Sequence, residues 1–259
     1  MDIEVLVSTM HKEDHSIIDD MNLQSNAIIV NQCDKDEIKK FKYNDKSIQF
    51  YSFSERGVGL SRNNALMRST ADICLIADDD MVYVDNYQEI VLKAFEDSPS
   101  ADVIIFSVTI HDNRGQRTRK LKNKRVRFYN FMRYGTVRIG FKRNSILKNN
   151  IFFSLLFGGG AKYGSGEDTL FMYDCLRKGL KVYTSPEKIA DVYNYNSTWF
   201  KGYNKKFFED KGALFAALSK RWYWALCLQF AIRRQKLFCN DMRWIDAYRL
   251  MLKGAKEFI

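Results

Sequence analysis

Apolar segments alternate with amphipathic ones over roughly the first 110 residues of the chain. Uninterrupted apolar and β-branched runs typical of buried strands occupy residues 3–8, 27–31, 48–53, 73–77 and 102–110. Apolar positions at helical spacing occupy residues 13–22, 60–69 and 87–95. This order predicts an α/β fold with an open, mainly parallel sheet flanked by helices. Ligands of such sheets bind beyond the carboxyl ends of the strands.

The pattern changes after residue 110. Residues 114–148 lack periodicity until a short apolar segment at 138–141, so we expect loops and short strands crossing an edge of the sheet. Residues 157–166, FGGGAKYGSG, contain too much glycine for a regular element and indicate an active-site loop, and residues 169–178 predict a helix. Residues 204–259 are helical in pattern, aromatic and basic. We therefore divide the chain into a main domain, residues 1–203, and a C-terminal helical extension, residues 204–259.

The net charge of +10 is unevenly distributed along the 259 residues. Residues 1–113 carry 10 basic and 21 acidic side chains, whereas residues 114–148 carry 13 basic and no acidic ones. The tail, residues 201–259, carries 13 basic and 5 acidic side chains. The two basic regions predict an anionic partner, which could be nucleic acid, an acidic membrane surface or a substrate that bears a diphosphate.

The composition excludes several classes of protein. The longest uncharged run in the tail, residues 222–232, is 11 residues long, whereas a membrane-spanning helix needs about 20. This run could lie in the membrane interface or pack as a helical hairpin on the main domain. The chain starts without a signal-peptide pattern, which predicts a cytoplasmic location, with the inner face of the cell membrane as a further option. The five cysteines show no paired spacing, so neither a disulfide framework nor a zinc site is expected.

Two acidic clusters are candidates for chemistry. Asp78, Asp79 and Asp80 directly follow the apolar run 73–77. Three adjacent carboxylates resist joint ionisation unless a cation neutralises them, and their oxygens suit Mg²⁺ or Mn²⁺. An acidic turn after a strand is the simpler alternative. Glu167 and Asp168 open a predicted helix, where they could cap the helix or act in catalysis.

Common nucleotide-binding and hydrolase motifs are absent from the sequence. Residues 57–62, GVGLSR, begin like a dinucleotide fingerprint but have Arg62 at the position of the third glycine. No P-loop and no G-x-S-x-G elbow occur.

Three motifs occur in a characteristic order: residues 55–66 (ERGVGLSRNNAL), residues 77–80 (ADDD) and residues 164–168 (GSGED). Together they resemble the family 2 glycosyltransferases of GT-A fold that act in polysaccharide biosynthesis, over roughly residues 1–200. The resemblance implies a nucleotide-diphosphate sugar donor, a Mn²⁺ or Mg²⁺ ion held by a D-x-D element, and inversion at the anomeric carbon. Residues 1–203 would then be the catalytic domain.

The resemblance also implies roles for particular residues. It assigns the metal to Asp80 and Asp78, and the general base to Asp168 with Glu167 beside it. The donor would contact Thr9, Gln32, Arg62, Asp78 and Asp79, with Arg62 at the diphosphate and Thr9 and Gln32 near the base. The acceptor would approach Gly159, Gly160 and Trp199. The family often has aspartate where Ala77 and Gln32 stand in this chain.

The expected function is therefore metal-dependent transfer of a hexose from a nucleotide sugar, in the first place a UDP-sugar, to a glycan or lipid-diphosphate-linked acceptor. The basic regions fit such an acceptor and peripheral contact with a membrane. A nucleic-acid-binding module is an alternative that leaves the three aspartates unexplained, and we expect no nucleic-acid partner. A sugar nucleotidyltransferase is a second alternative, which would release pyrophosphate instead of a nucleoside diphosphate.

Overall fold

A mixed, mostly parallel sheet forms the centre of the protein. The computed structural model describes residues 1–113, 115–118, 120–195 and 202–259. Within these residues the strands are β1 (Ile3–Met10), β2 (Asn26–Gln32), β3 (Glu37–Tyr43), β4 (Lys46–Phe53), β5 (Ile73–Asp78), β6 (Met81–Tyr83), β7 (Val103–Asp112), β8 (Gly115–Thr118), β9 (Lys124–Arg125), β10 (Ile139–Lys142) and β11 (Val182–Tyr193). Their order in the sheet is β3-β4-β2-β1-β5-β10-β7-β11-β6, with β8 beside β7 and β9 beside β11.

Helices cover both faces of the sheet. They are α1 (Ile17–Asp20), α2 (Val58–Arg68), α3 (Tyr87–Asp97), α4 (Arg143–Lys148), α5 (Glu167–Arg177), α6 (Lys205–Leu218), α7 (Tyr223–Arg234) and α8 (Trp244–Phe258), with short 3-10 turns at Phe131–Arg133, Thr136–Arg138 and Gln235–Leu237. Alternate residues of a strand point to opposite faces. Accordingly Val5 and Val7 pack with α1 and α3 in one apolar cluster, and Leu6 packs with α2, α5 and the C-terminal helices in the other.

The register of the parallel strands gathers their carboxyl ends at one edge. β1 pairs in parallel with β2 and with β5, so that Met10 lies opposite Gln32 and Ser8 lies opposite Asp78. β7 and β11 are also parallel to each other. The α/β fold and the mostly parallel sheet predicted from the sequence are confirmed.

The apolar segment at 138–141 was expected at an edge of the sheet, and this expectation was wrong. β10 lies between β5 and β7 and is antiparallel to both. Gly140 permits the close packing, since a Cβ at this position would lie 2.9 Å from Leu75 Cδ2 and 3.2 Å from Phe106 Cε2. The strand is short, and the basic residues that flank it obscured the pattern of a central strand.

Three other elements differ from the predicted ones. The polar stretch before residue 48 contains β3, an edge strand with exposed Lys39 and Lys40. A polar segment can form such a strand because only one side of an edge strand pairs with a neighbour. β11 was missed because Pro186 lies inside it, at the irregularity between Thr184 and Lys188. The helix predicted at 13–22 is reduced to the single turn of α1.

The C-terminal helices pack on the sheet-bearing part of the chain and on one another. α6 and α8 cross in backbone contact, since a Cβ at Gly212 would lie 1.8 Å from Met251 O and one at Gly254 would lie 2.0 Å from Glu209 O. Of the two arrangements that the sequence left open for this tail, the packed one is therefore present. Among the described residues, no helix has the length and apolar character to cross a bilayer.

Candidate active site

The carboxyl ends of five strands surround a cleft of about 580 Å³. Most of the residues singled out in the sequence line it, namely Thr9, Gln32, Arg62, Asp78, Asp79, Asp80, Gly159, Glu167 and Asp168. Gly160 follows in the same loop but is not part of the lining. Trp199 lies outside the described residues. The tertiary structure thus brings together side chains that are up to about 160 positions apart in the sequence.

Arg62 joins the two acidic clusters. Its Nη2 donates to Asp78 Oδ1 at 2.8 Å and Oδ2 at 3.2 Å, and its Nη1 donates to Glu167 Oε1 and Asp168 Oδ1, both at 3.1 Å. The Arg62 side chain is 2% exposed. One guanidinium therefore links α2, the end of β5 and the start of α5 through charge-assisted hydrogen bonds.

Burial and charge act in opposite directions in this network. Burial alone would lower the pKa of Arg62, but Asp78, Asp168 and Glu167 raise it above its ordinary value, so the arginine stays charged. Burial, followed by the charge of Asp168, raises the pKa of Glu167 to about 7, against the lowering effect of Arg62. Glu167 is therefore harder to ionise than an ordinary glutamate. Asp168, whose side chain is 30% exposed and lines the cleft, is better placed to meet an acceptor.

Local backbone geometry explains how α2 presents Arg62. Gly57, at φ +128°, precedes the helix in a conformation that few residues other than glycine adopt. A Cβ at Gly59 would lie 2.3 Å from Ser154 O, so only glycine lets the first turn approach this loop. Asn63 then exchanges two hydrogen bonds of 2.8 Å with the backbone of Phe153. The residues next to Arg62 thereby fix the segment that leads into the glycine-rich loop.

The three consecutive aspartates have three different environments. Asp78 binds Arg62, and Asp79 accepts a hydrogen bond of 2.5 Å from Thr9 Oγ1. The Oδ1 atom of Asp80 is buried and has no hydrogen-bond partner among the residues that the structure describes. Burial, followed by the charges of Asp78 and Asp79, raises the pKa of Asp80 to about 7. A buried carboxylate oxygen without a donor indicates that a positive group belongs beside it.

The carboxylates of the cleft suit a divalent cation whose remaining ligands come from a substrate. Within the part of the chain that the structure describes, no three His, Cys, Asp or Glu side chains form a metal site made of protein alone. Mg²⁺ is usually held by one or two carboxylates together with substrate phosphates. The unpartnered Asp80 oxygen at the edge of an acidic cleft matches that arrangement.

Thr9 and Gln32 lie at the cleft, but their side chains also make structural contacts. Thr9 holds Asp79, as described above. Gln32 Oε1 accepts from Gly57 N at 2.7 Å, and Arg56 Nη1 donates to Gln32 O at 2.9 Å. Gln32 thus ties the end of β2 to the turn before α2. The proposed contacts of both residues with a nucleotide base stay predictions.

The glycine-rich loop packs tightly against α2. Val58 N donates to Gly159 O at 2.9 Å, and a Cβ at Gly160, whose φ is +77°, would lie 3.0 Å from Gly57 N. A Cβ at Gly158 would lie 2.9 Å from Glu167 Cδ. These glycines therefore place the loop against both α2 and the acidic pair.

The C-terminal extension supports the glycine-rich loop. The sequence did not reveal this support. Asp210 on α6 is buried, and its Oδ2 accepts from Gly164 N at 2.9 Å. Lys206 binds both Asp210 and the carbonyl of Lys162, at 2.9 and 3.1 Å. A Cβ at Gly166 would lie 2.8 Å from Leu214 Cδ1, so α6 also contacts the residue before Glu167. The segment that carries the acidic pair therefore rests on α6.

Tyr193 was also missed by the sequence reasoning. It ends β11, lines the cleft and stacks on His111 with ring centroids 4.7 Å apart. Its backbone N–H donates to the carbonyl of Asp80 at 2.8 Å. No motif in the sequence marks Tyr193, and the strand that it ends, β11, was not predicted.

The fold and the cleft agree with comparisons to known proteins. The model of glycosyl transferase family 2 matches residues 5–155, which is more than half of the chain. The chain belongs to glycosyltransferase family 2 and is a glycosyltransferase. This membership does not favour the nucleic-acid-binding or nucleotidyltransferase alternatives. The match ends before Glu167 and Asp168, so it says nothing of these two residues. No curated protein matches the sequence.

Solved structures of one bacterial enzyme share the fold. S. aureus TarS 1-349 in complex with UDP-GlcNAc superimposes with a TM-score of 0.67 at 15% identity, covering 100% of this chain and 84% of that chain. The same fragment in complex with UDP gives a TM-score of 0.66 at 15% identity, with 100% and 83% covered. A further S. aureus TarS structure gives 0.61 at 14% identity, covering 98% of this chain and 55% of that chain. Identities this low establish similarity of fold.

The raised pKa of Asp80 predicts a pH-dependent effect of Asp80→Asn on stability. Because the pKa rises from 3.8 to about 7 on folding, this carboxyl lowers the unfolding free energy progressively between about pH 4 and pH 7. Asparagine does not ionise. Without divalent cations, the variant should therefore exceed the wild type in Tm by a growing margin across this window, reaching a few degrees.

Thermal unfolding between pH 4 and pH 8 measures this margin. Asp79→Asn is the matched comparison, since Asp79 is exposed and bonded to Thr9. Its charge is a smaller cause of the raised pKa of Asp80 than burial and Asp78, so the margin of this variant should grow much less. Mn²⁺ should stabilise the wild type more than Asp80→Asn. A difference in Tm between Asp80→Asn and the wild type that does not depend on pH would contradict the raised pKa of Asp80.

The contact between Asp210 and Gly164 predicts that α6 controls turnover. Asp210→Ala should lower kcat for glycosyl transfer by roughly 10–100-fold with little change in the donor KM, because small displacements of catalytic groups are costly. Asp210→Asn retains an acceptor for the Gly164 N–H and should restore most of the rate. Glu209→Ala is the control, since Glu209 binds Lys253 at 2.9 Å instead of the loop. Equal losses in Asp210→Ala and Glu209→Ala, from steady-state kinetics, would argue against a specific role.

Proposed function

We propose that this glycosyltransferase moves a sugar from a nucleotide-diphosphate donor, in the first place a UDP-sugar, to an acceptor hydroxyl with inversion at the anomeric carbon. The observation that supports this most strongly is the juxtaposition of two acidic clusters in one cleft. One cluster contains a carboxylate oxygen that has no hydrogen-bond partner among the described residues and suits a cation, and the other contains Asp168 as a proton acceptor beside Glu167. UDP-GlcNAc and UDP are bound in the TarS structures of similar fold, which supports uridine nucleotides as the first donors to test.

Asp168 is our candidate for the general base. A sugar hydroxyl is a weak nucleophile, and a carboxylate within hydrogen-bond reach can take its proton as the new bond to the anomeric carbon forms. Burial and the charge of Asp168 raise the pKa of Glu167, and Glu167 is also less exposed than Asp168. Arg62 keeps Asp168 fixed relative to Asp78, so the base stays in a constant position beside the donor end of the cleft.

Asp80, with Asp78 as second ligand, is our candidate for holding Mn²⁺ or Mg²⁺. When bound, such an ion would stabilise the negative charge that develops on the departing nucleoside diphosphate. Asp79 and Thr9 would contact the donor from the neighbouring strand ends, and Gln32 would lie near the base. Arg62 would reach the diphosphate only by giving up one of its carboxylate contacts. Gly159 and Gly160 would meet the acceptor, and we add Tyr193, which lines the cleft together with Gly159.

The acceptor that fits best is a glycan or a lipid-diphosphate-linked glycan at the inner face of the cell membrane, as in polysaccharide biosynthesis. The support is electrostatic, because residues 114–148 carry 13 basic side chains and Val137, from the same segment, lines the cleft. We take residues 1–203 as the catalytic domain and residues 204–259 as an extension that supports its glycine-rich loop.

Release of nucleoside diphosphate tests this function. The protein is incubated with uridine and guanosine nucleotide sugars, with and without Mn²⁺, and with lipid-linked or soluble glycan acceptors. We expect release with at least one uridine donor, and thermal-shift measurements should show stabilisation by that donor with Mn²⁺. Release of pyrophosphate would identify a nucleotidyltransferase instead. Absence of release from every donor, with the fold intact, would refute the assignment of substrate.

Substitution of the acidic pair tests the assignment of the base. Asp168→Asn should reduce kcat by roughly 10²–10⁴-fold, the usual contribution of general-base catalysis, and should leave donor affinity measured by calorimetry nearly unchanged. Glu167→Gln resembles the protonated form of Glu167 and should cost less than about tenfold. The reverse order of effects would move the base to Glu167.

A further inference from the structure

A second groove lies behind the glycine-rich loop, separate from the donor cleft. Its volume is about 420 Å³, and its lining includes Phe152, Leu156, Phe157, Leu218, Lys220 and Phe258. Two segments that are distant in sequence meet here, the loop 152–157 and the turn between α6 and α7. The wall combines apolar side chains with Asp174, Arg177 and Lys220, and it opens to solvent.

Large apolar side chains are exposed around this groove. From the two segments these are Phe152, Leu155, Leu156, Trp222 and Trp224, each between 38% and 58% exposed. Trp222 N donates to Ser219 Oγ at the groove edge, and the rings of Trp222 and Trp224 are 6.1 Å apart. Phe152 and Leu156 line the groove, and Trp222 follows two residues after Lys220, which also lines it. Large apolar side chains exposed on two segments that meet at one groove indicate an interaction surface. We call these five residues, with the groove, the apolar face.

Cations border the apolar face. Lys220 lines the groove, and the guanidinium of Arg221 lies 5.5 Å from the ring of Trp222. Arg177 also lines the groove, where it pairs with Asp174 at 3.2 Å. Exposed tryptophan interleaved with lysine and arginine is the composition that binds at the headgroup level of a membrane.

We propose that the apolar face binds the surface of an anionic lipid bilayer, with Trp222, Trp224 and the 152–156 loop inserted at the interface and Lys220 and Arg221 on the acidic headgroups. A second copy of the chain fits this face less well. Each copy carries a net charge of +10, and two such faces would bring Lys220 and Arg221 against their own counterparts.

The position of the apolar face gives it a role in the proposed function, on which this part of the inference rests. Phe157 lines the groove, whereas Gly159, two residues later, lines the donor cleft. Phe258 packs on both Phe157 and Tyr163, with ring centroids 5.6 and 5.7 Å apart. The glycine-rich loop therefore separates the lipid-facing groove from the catalytic carboxylates. A lipid-anchored acceptor would reach the cleft across this single loop.

Co-sedimentation with vesicles tests the proposal on the full chain, without donor or acceptor. The wild type should bind phosphatidylcholine vesicles that contain phosphatidylglycerol and should bind pure phosphatidylcholine far more weakly. Lys220→Gln with Arg221→Gln should weaken binding about 30-fold, since each cation near an anionic surface contributes about fivefold. Trp222→Ser with Trp224→Ser should weaken it by at least about tenfold through lost apolar burial.

Matched controls separate the face from net charge and from general hydrophobicity. Lys40→Gln with Lys42→Gln removes the same charge from exposed positions on β3, and Ile38→Ser removes an exposed apolar side chain there. Both controls should bind vesicles as the wild type does, and circular dichroism should show that all variants are folded.

Three outcomes would overturn the proposal. These are failure of the wild type to bind anionic vesicles, unchanged binding in both face variants, or a change from dimer to monomer in the tryptophan variant by analytical ultracentrifugation. The last outcome would identify a second copy of the chain as the occupant. Vesicle binding requires no turnover, so its failure is distinguishable from failure of the proposed glycosyl transfer.

Discussion

The buried guanidinium of Arg62 holds together the three segments that form the cleft. It contacts Asp78, Glu167 and Asp168 at once and has almost no exposure to solvent. A buried charge is tolerated only when its partners compensate the lost hydration, and removing one partner of such a pair typically costs about 3–5 kcal/mol. The end of β5, the first turn of α2 and the start of α5 must therefore keep their relative positions. The glycines at 57, 59, 158 and 160 serve the same constraint, because they let these segments approach closely.

The constraint leaves an excess of negative charge in the cleft. Among the described residues that line it, five carboxylates face one arginine. Arg62 neutralises part of this charge and Thr9 binds Asp79. Asp80 is left with a buried oxygen to which no donor in the described part of the chain is bonded. Burial and the neighbouring carboxylates raise the pKa of Asp80 and that of Glu167. The same electrostatics that disfavour joint ionisation favour a divalent ion and its phosphate ligands.

The C-terminal helices have two different surfaces. One holds the glycine-rich loop through Asp210, Leu214 and Phe258, so the extension is part of the framework of the active site. The other surface exposes tryptophan and cations near the turn after α6. A helical extension in which α6 and α8 position the loop and the start of α7 meets lipid would couple the location of the enzyme to the geometry of its cleft.

The sequence alone determined the α/β class, the main strands and helices, and the two acidic clusters, because apolar periodicity and adjacent carboxylates are local properties. It did not place β10 in the middle of the sheet or reveal β11, since a short strand in basic flanks and a strand interrupted by Pro186 lack the usual period. Only the tertiary structure decided which partners the charged groups have. That Arg62 binds three carboxylates and that Asp210 supports Gly164 are consequences of packing between residues 16 to 106 positions apart. Packing also leaves the Oδ1 atom of Asp80 without a hydrogen-bond partner among the described residues. Burial and pairing of this kind depend on the whole fold, and no local pattern encodes them.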